Sequence, residues 1–258
     1  MIRPVLRILC LSDIHADFDN FRPEAMPPAD VCLVAGDLTN RGAYESAPVL
    51  HQLMDWSTRL CLHYKVVAWV PGNHDVDLRA SHVWKGMWEL GQAMFTTTSG
   101  PHLALAGSGH TLWRSPDSAC HWEGGVGDPL EDQLQAARMA LSMAALAPLS
   151  MVRAWVCHSP PYGTLDGQRE KMLLGVGSPG LRAILMSVPR SIRPHLYVCG
   201  HYHGGGGSHA MVEDTLIVNA ARTWVLVEVK EEGGVYRAHV ADSGGGPAAF
   251  ASVSDSDL

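Results

Sequence analysis

Five apolar runs of this chain each end at a carboxylate, amide or imidazole side chain, and this repeated pattern constrains the fold more than any other feature. The runs are short and lack polar alternation, which predicts strands that are covered on both faces. In an open α/β sheet, ligand sites lie at the carboxyl ends of such strands. We therefore expect the polar residues after the runs to form one site. The runs are Val5–Leu11, Val31–Ala35, Val66–Val70, Val152–Cys157 and His195–Cys199.

The run Val31–Ala35 leads directly into Gly36 and Asp37. Glycine lets the backbone turn sharply, so Asp37 is predicted to project from the carboxyl edge of the sheet. A Gly-Asp turn after a buried strand is common by itself, and the interpretation depends on the four other runs that end in the same way. We interpret Asp37 as a carboxylate that bridges two metal ions, with the other strand ends completing their coordination.

Two further strand ends carry closely spaced polar residues. Asp13 and His15 are two positions apart, so in extended backbone both side chains point to one side and can chelate a single ion. A polar turn explains this tripeptide equally well. Asn73 offers an amide oxygen that suits a hard or borderline divalent cation, and the neighbouring His74 is placed to meet whatever binds there. For Asn73 alone, a Pro-Gly-Asn turn is a competing interpretation.

The remaining two strand ends carry histidines. The Ser-Pro-Pro sequence after His158 stops the strand and stiffens the turn that holds this histidine. His201 and His203 share one side if the backbone is extended, whereas a turn would aim them at neighbouring ions. The run Gly204–Gly207 has no helix after it and is not a nucleotide-binding loop of the usual kind. It is either backbone that passes close to the site or a flexible turn.

The bulk composition bounds the class of protein. The chain has 258 residues, of which 47% are hydrophobic, and this predicts a single domain over residues 1–241. The Gly-, Ser- and Asp-rich residues 242–258 are expected to be a disordered tail. The formal charge of -7 argues against binding of duplex nucleic acid, which needs a positive field. A short nucleotide stays open as a ligand, because bound metal ions supply positive charge locally.

Cysteine usage and hydropathy indicate the compartment. Four of the 6 cysteines lie inside strand-like runs and no CxxC pair is present, which predicts reduced core residues in a reducing compartment. The first residues lack the long apolar segment of a signal peptide, and the most apolar long segment is interrupted by Pro148 and Arg153. We therefore predict a cytoplasmic protein without a membrane span. The four cysteines are Cys10, Cys32, Cys157 and Cys199.

Helices are predicted where apolar residues recur with helical spacing. They cover Tyr44–His63, Leu130–Leu146 and Gly180–Val188. Trp84 and Trp88 stand four positions apart, and helix packing explains them better than a ligand does.

Short strands are predicted elsewhere. Residues 102–105 and 110–113 are assigned to two strands about a Gly-Ser-Gly turn, and three closing strands complete the set. The rest of the 108–127 region contains His121 and Trp122, which could contact the base or phosphate of a substrate. A variable surface loop is the preferred interpretation of this region. The closing strands are Thr215–Ala220, Trp224–Val229 and Val235–Val240.

The ordered set of strand ends resembles the calcineurin-like metallophosphoesterases, from about Leu9 to Asn219. Each motif is weak alone, whereas all five in order, each after an apolar strand, are a strong signal. His158 is preceded by Cys and followed by Ser-Pro-Pro, a version associated with the phosphodiesterase-like branch of the family. The motifs are Asp13-x-His15, Gly36-Asp37, Gly72-Asn73-His74-Asp75, His158 and Gly200-His201-x-His203.

The resemblance implies a four-layer α/β/β/α sandwich of two mixed sheets flanked by helices. It also implies two divalent metal ions, which the mixture of carboxylate and imidazole ligands suggests are Mn or Fe, or else Zn, Co or Ni. His74 would be a catalytic general acid at the leaving-group oxygen, with Asp75 orienting its ring and favouring its protonated form. The implied ligands are Asp13, His15, Asp37 and His203 for one ion, and Asp37, Asn73, His158 and His201 for the other.

The chemistry implied by this arrangement is hydrolysis of a phosphoric ester. Two cations about 3.5 to 4 Å apart acidify a bridging water and bind the phosphoryl oxygens. The expected substrate is a small diester such as a cyclic nucleotide, and the expected enzyme is a phosphodiesterase, with a homodimer as a candidate assembly. A phosphomonoesterase or protein phosphatase with the same site is the alternative, and a non-catalytic metal-binding interaction module is a further one.

Overall fold

The computed structural model of the chain describes residues 6–75, 77–78, 82–83, 85–90, 103–109, 129–146, 151–167 and 177–244. Within these ranges it contains eleven strands and three α-helices. The helices are α1 (Ala47–His63), α2 (Pro129–Leu146) and α3 (Pro179–Ser187). The strands are β1 (Leu6–Leu11), β2 (Val31–Val34), β3 (Val66–Trp69), β4 (Met87–Glu89), β5 (Leu103–Ser108), β6 (Val152–Cys157), β7 (Leu196–Cys199), β8 (His209–Val212), β9 (Thr215–Asn219), β10 (Trp224–Glu232) and β11 (Val235–Gly244). Short 3-10 helices cover Pro23–Ala25, Gly42–Tyr44 and His203–Gly205.

The strands form two mixed sheets. The first has six strands in the order β11-β10-β1-β2-β3-β4, with β1 to β4 parallel and with β10 and β11 antiparallel to their neighbours. The second has five strands in the order β5-β6-β7-β9-β8, and only β8 pairs in the antiparallel sense among them. Parallel strands of both sheets therefore bring their carboxyl ends to the edges from which the polar loops depart.

One apolar cluster fills the space between the two sheets. It contains Ile8 and Leu33 of the first sheet together with Ala154, Val198 and Val218 of the second, and all five are 0% exposed. Side chains that alternate with these along the same strands point outward, away from the other sheet. Strands β2, β6 and β7 are thus buried on both faces, which explains why their runs show no polar alternation.

Two outer clusters attach the helices to the sheets. Leu53 and Trp56 of α1 pack with Leu11 and Trp69 on the outer face of the first sheet. On the outer face of the second sheet, α2 and α3 pack against Trp155 and other residues in a separate cluster. The order of layers is therefore α1, first sheet, second sheet, and the pair α2 and α3. This four-layer α/β/β/α arrangement confirms the predicted fold class.

Two predicted elements differ from the structure. Trp88 lies in β4 rather than in a helix, and its residue is 55% exposed; Trp84 lies outside the described residues. Gly107 and Ser108 continue β5 instead of forming a turn. Glycine is required at position 107 because the sheets approach each other closely there, and an added Cβ would overlap the Cβ of Leu90. The second strand predicted there, 110–113, lies outside the described residues, as does the rest of the 108–127 region from residue 110 onward.

Three features near the end of the chain add to the predictions. Strand β8, an antiparallel edge strand, is absent from the sequence-based expectations. Strand β11 extends to Gly244, so the first three residues of the predicted tail belong to a sheet. Residues 245–258 lie outside the described residues. The division of the chain into one domain and a tail therefore stays a prediction. The glycine run passes close to other backbone, since a Cβ at Gly206 would overlap the carbonyl oxygen of Ala221.

Two sequence predictions about burial and hydropathy can be compared with the described residues. The four cysteines of the apolar runs are buried and have free thiols, as predicted, and burial raises their pKa where a shift is resolved, as for Cys10. In the described part of the chain, no helix combines the length and apolarity that a membrane crossing requires.

Candidate metal centre

The predicted site residues follow the carboxyl ends of five parallel strands. Asp13 follows β1, Asp37 follows β2 and Asn73 follows β3 in the first sheet, while His158 follows β6 and His201 follows β7 in the second. The two sheets are stacked, so these loops converge from both sides on one place. Each of the predicted residues lies within the described part of the chain.

The backbone of these loops is not extended, contrary to the expectation for Asp13 and His15. Asp13 has a φ of 56° and His15 a φ of 49°, and the same left-handed region holds Asp37 (54°) and His201 (66°). Non-glycine residues adopt this region rarely and at a cost of roughly 1 kcal/mol or more each. The N–H of His15 donates to the carbonyl oxygen of Asp37 at 2.9 Å, which locks the two loops together. Strain of this kind clusters at functional sites.

The first group of ligand atoms is formed by Asp13, His15 and His203. Nε2 of His203 lies 3.0 Å from Oδ1 of Asp13 and 3.2 Å from Nε2 of His15. Nε2 of His15 is 3.7 Å from Oδ1 of Asp13. The other ring nitrogen of His15, Nδ1, lies 3.0 Å from Oδ1 of Asn40. Because Asn40 holds the Nδ1 side, Nε2 is the nitrogen presented to the group, as is usual for histidine ligands.

The second group is formed by Asp37, Asn73 and His158. Nε2 of His158 lies 2.8 Å from Oδ1 of Asn73 and 3.3 Å from Oδ2 of Asp37. Its Nδ1 is 2.7 Å from the carbonyl oxygen of Ala35, so a backbone carbonyl orients this buried ring in the same way. The ring of His201 stands at the edge of this group, with its centroid 4.9 Å from that of His158.

Asp37 lies between the two groups. Its Oδ2 is 3.3 Å from Nε2 of His158 and 3.7 Å from Nε2 of His15, and the residue is 1% exposed. This is the position expected of a bridging carboxylate. The coordination of ions by Asp37 and its neighbours stays a prediction, but every residue assigned to the two ions lies at this place.

The electrostatics of the site suit cations. Asp13 and Asp37 are both buried, and burial by itself would raise their pKa values. For Asp13, the hydrogen bonds with His15 and His203 outweigh burial and hold the pKa well below its usual range. For Asp37, the charge and hydrogen bond of His158 outweigh burial and lower the pKa to about 2. Burial alone would lower the pKa of His158, but the charge and hydrogen bond of Asp37 raise it to about 9. Buried anions here attract positive charge, which a proton or a metal ion can supply.

The donor atoms present fit a pair of divalent ions. Three overlapping sets of residues each place ligand atoms within 4.8 Å of one another. Carboxylate oxygen and imidazole nitrogen, without thiolate, match transition metals that prefer mixed N and O ligands. One set includes His74, which the family resemblance assigns to substrate rather than to metal. The sets are Asp13/His15/His203, His15/Asp37/His74 and Asp13/Asp37/His158.

Asp75 contacts the backbone of two loops through its carboxylate. Oδ2 of Asp75 accepts hydrogen bonds from the backbone N–H groups of Gly72 (3.0 Å) and Leu38 (3.2 Å), and Oδ1 accepts one from Thr39 (3.1 Å). Burial, followed by the charge of Asp37, raises the pKa of Asp75 to about 7 despite these donors. Asp75 therefore ties the loop after β3 to the loop after β2, because three inward-pointing N–H groups use its carboxylate.

The ring of His74 faces a backbone carbonyl group. Its Nδ1 lies 3.1 Å from the carbonyl oxygen of Asn40, and its backbone N–H donates to Oδ1 of Asp37 at 2.8 Å. Its ring centroid is 4.9 Å from that of His15. A backbone carbonyl can only accept, so Nδ1 carries the hydrogen in this contact. The contact with Asn40 thus directs Nε2 to the opposite side of the ring, and the orienting role of Asp75 stays a prediction.

Two residues of the site were missed by sequence reasoning. Asn40 contacts His15 through its side chain and His74 through its backbone carbonyl. Arg222 follows β9, has a φ of 54° and donates its backbone N–H to the carbonyl oxygen of Ser12 at 3.0 Å. Burial lowers the pKa of His15, but the hydrogen bond and charge of Asp13 outweigh burial and raise it; the charge of Arg222 opposes this rise. Since β9 is another parallel strand ending at this edge, the strand-end rule could have found Arg222.

Comparisons with known proteins agree with the geometry. Residues 6–132 match the sequence model of the calcineurin-like phosphoesterases. The chain is 28% identical over 223 residues to the human metallophosphoesterase domain-containing protein 1, which covers 78% of this chain and 61% of that protein. It is 27% identical over 224 residues to a probable rhamnogalacturonate lyase C of Emericella nidulans, which covers 81% of this chain and only 18% of that protein. The chain thus spans less than two thirds of the length of these relatives.

A solved structure supports the fold. The protein TT1561 of Thermus thermophilus matches with a TM-score of 0.55 at 15% sequence identity, over 92% of this chain and 99% of that one. Residues 6–132 thus match the calcineurin-like phosphoesterases, and the five motifs and the two stacked sheets agree with this match. The family match and the converging ligand atoms are consistent with metal-dependent phosphoester chemistry.

Proposed function

We propose that the protein is a phosphodiesterase that hydrolyses small diesters such as cyclic nucleotides. The observation that carries the proposal is the position of Asp37, whose buried Oδ2 lies within 3.7 Å of imidazole nitrogens from both ligand groups. When bound there, two divalent ions, for which we propose Mn or Fe, acidify a water molecule and offset negative charge on a phosphoryl group.

The role of His74 is to donate a proton to the leaving oxygen. The carbonyl of Asn40 accepts from Nδ1, and the backbone N–H of His74 is anchored on Asp37 at 2.8 Å. These two contacts fix the imidazole next to the metal ligands and make Nε2 the nitrogen that delivers the proton. A departing alkoxide is a strong base, so this protonation contributes most when the leaving alcohol is weakly acidic.

The sequence around His158 supports a diester over a monoester. Cys157 precedes this histidine and Ser159-Pro160-Pro161 follows it, a version associated with the phosphodiesterase-like branch of the family.

Two chromogenic substrates test the proposal. The full chain is stripped with EDTA, reloaded with Mn²⁺ or Fe²⁺, and assayed on bis-p-nitrophenyl phosphate and p-nitrophenyl phosphate. We expect kcat/KM to be larger for the diester. Equal or greater activity on the monoester would assign the chain to the phosphomonoesterases, and no activity on either ester or on 2′,3′-cyclic AMP would favour a non-catalytic metal-binding module.

A histidine substitution tests the general acid. His74→Asn should lower kcat about 10²- to 10⁴-fold on 2′,3′-cyclic AMP, whose leaving group is an alkoxide. The loss should be smaller on bis-p-nitrophenyl phosphate, because p-nitrophenolate needs little protonation. Metal content should not change. His51→Asn, on the exposed surface of α1, is the matched control and should retain full activity; equal losses on both substrates would refute the acid role.

Two further predictions concern the assembly and the cellular location of the protein. A homodimer is the candidate assembly, and the mass of the protein in solution, measured by light scattering, tests it. A cytoplasmic location is expected from the cysteine usage, and fractionation of cells that produce the full-length protein tests it.

A further inference from the structure

A cavity of about 310 Å³ lies away from the metal centre. It is formed by residues at the amino ends of β6 and β7 and by the turn between β10 and β11. The metal ligands follow the carboxyl ends of the same two strands, and β6 is six residues long, so the two places are roughly 15 to 20 Å apart. The residues of the lining that carry the argument are Arg153, Arg190, Arg193, His195, Tyr236 and Arg237.

The lining is strongly basic. It contains four arginines and one carboxylate, that of Asp214. Three of the arginines have carboxylate partners: Arg190 pairs with Asp214 at 2.8 Å, Arg193 with Glu213 at 3.5 Å, and Arg237 with Glu232 at 3.4 Å. The fourth arginine, Arg153, is not paired with a carboxylate among the described residues.

The fourth arginine, Arg153, is 5% exposed. Its Nε donates to the carbonyl oxygen of Arg193 at 2.8 Å, its Nη1 to that of Met151 at 3.3 Å, and its Nη2 lies 2.9 Å from Nε2 of His195. A guanidinium has five N–H donors, so at least two of them have no acceptor in these three contacts. Within the described ranges no carboxylate pairs with Arg153. A buried cation without a counter-ion is costly unless an anion compensates it.

A second donor in the same lining lacks an acceptor. Nε of Arg193 is buried and has no hydrogen-bond partner, while its Nη1 and Nη2 contact Glu213 and the carbonyl oxygen of Val188. Arg153 and Arg193 are joined by the hydrogen bond from the Arg153 Nε to the Arg193 carbonyl. Two linked guanidinium groups with unused N–H donors thus border one cavity, which is the arrangement that binds the oxygens of a phosphoryl group.

The rest of the cavity suits a body attached to that group. The ring of Tyr236 stands edge-on to that of His195 with a centroid distance of 5.9 Å, and Val235 lies beside it in the lining. Cavities of about 300 Å³ accept small organic ligands. The volume is larger than a phosphate ion alone requires.

We propose that this cavity is a second ligand site, which binds a phosphoryl group, either as free phosphate or as part of a small phosphorylated metabolite. The phosphoryl oxygens accept hydrogen bonds from Arg153 and Arg193, and Tyr236 contacts the remainder of the ligand. The site does not share a residue with the metal centre, so its existence is independent of the proposed phosphodiesterase activity.

Calorimetry on the full chain tests the proposal. The protein is kept in EDTA and in phosphate-free buffer of constant ionic strength, so that metal ions do not contribute, and is titrated with inorganic phosphate or with 5′-AMP. We expect saturable binding at one site. A dissociation constant at least tenfold lower for 5′-AMP would show that the site takes a phosphorylated metabolite, and comparable constants would show that it takes phosphate.

Variants locate the binding. Arg193→Gln and Arg153→Met should each weaken binding at least tenfold, and Tyr236→Ala should weaken 5′-AMP more than phosphate. If Arg153→Met does not fold, the other two variants decide. The matched control is Arg59→Gln, which removes an exposed arginine of α1 that pairs with Glu24. This variant should bind both ligands with unchanged affinity. Absence of saturable binding, or binding that is lost in Asp37→Asn but retained in Arg193→Gln, would overturn the proposal.

Discussion

The environment of His195 predicts a defined loss of stability in mild acid. The residue is 7% exposed. Its Nδ1 accepts a hydrogen bond from the backbone N–H of Arg153 at 3.0 Å, and its Nε2 faces Nη2 of the same arginine at 2.9 Å. A neutral ring accepts at one nitrogen only, so the hydrogen on the other nitrogen already faces a donor, and a second ring hydrogen would add a further contact between donors. Burial, and after it the charge of Arg153, lowers the pKa of His195 to about 3.

The sign and size of the effect follow from linkage between protonation and folding. In the unfolded chain this histidine titrates near its ordinary pKa of 6.5. Between that pH and about 3, the unfolded chain binds a proton that the folded chain does not bind, so the free energy of unfolding falls as the pH falls. The slope approaches about 1.4 kcal/mol per pH unit, which gives a loss of about 2 kcal/mol between about pH 7 and pH 5.

The assay is urea unfolding followed by tryptophan fluorescence at several pH values between about 5 and 8, in phosphate-free buffer with EDTA. The variant His195→Asn keeps an acceptor oxygen near the position of Nδ1 but cannot titrate. Because the carboxylates and the other histidines titrate alike in both proteins, their effects cancel in the difference between wild type and variant. His51→Asn is the matched control and should follow the wild type.

The result that would refute this reasoning is a pH dependence of the variant that runs parallel to that of the wild type. The absolute stability of His195→Asn is not decisive, because a changed side chain alters packing at every pH. Only the change in the difference between pH 7 and pH 5, about 2 kcal/mol, reports the protonation of the ring. A difference that grows in the opposite direction would mean that the folded state protonates this ring more readily than the unfolded chain does.

Three further predictions concern the metal centre and its supporting loops. Gly200→Ala should destabilise the fold by about 2 kcal/mol or more and reduce metal content, because the new Cβ would overlap Oδ2 of Asp13. The control is Gly233→Ala, at a glycine with a φ of +60° and open space around it. This control adds only backbone strain and should cost about 1 kcal/mol without loss of metal. Asp75→Asn should lower the free energy of unfolding by about 2 to 3 kcal/mol in urea titrations, because the new amide group turns a donor toward backbone N–H groups that the wild-type carboxylate satisfies. An unchanged unfolding midpoint would contradict this prediction. Mn²⁺ at about 100 times its dissociation constant should stabilise the wild type by about 2.7 kcal/mol in thermal unfolding; EDTA should reverse the effect, and Asp37→Asn should abolish it.

The sequence was informative wherever one local pattern had one physical meaning. The five apolar runs predicted strands because a segment buried on both faces must be apolar at every position, and β1, β2, β3, β6 and β7 all appear close to the predicted bounds. The gathering of polar residues at one edge followed from the same rule. The stacked pair of sheets came from the family resemblance rather than from periodicity, which does not specify how two sheets face each other.

The errors lie where long-range contacts override the local pattern. Trp88 sits in a short strand whose only support among the described strands is parallel pairing with β3, and nothing in its immediate sequence reports that pairing. Gly107 resembles a turn residue, yet it lies in a strand because it pairs with Val156 of β6. Asn40 is an ordinary loop residue in sequence, and its role depends on the loop after β1 lying within hydrogen-bond distance.

The sequence by itself determined which residues are available for the chemistry: the order of the strand ends and the side chains that each one delivers are covalent properties of the chain. Only the tertiary structure decided which atoms meet, namely that Asp75 serves the backbone of two loops while the carbonyl of Asn40 serves His74. It also decided that Arg153 and Arg193 border one cavity. The reason is that hydrogen-bond partners are selected by distances of about 3 Å between segments far apart in the chain, and such distances exist only once the two sheets have packed.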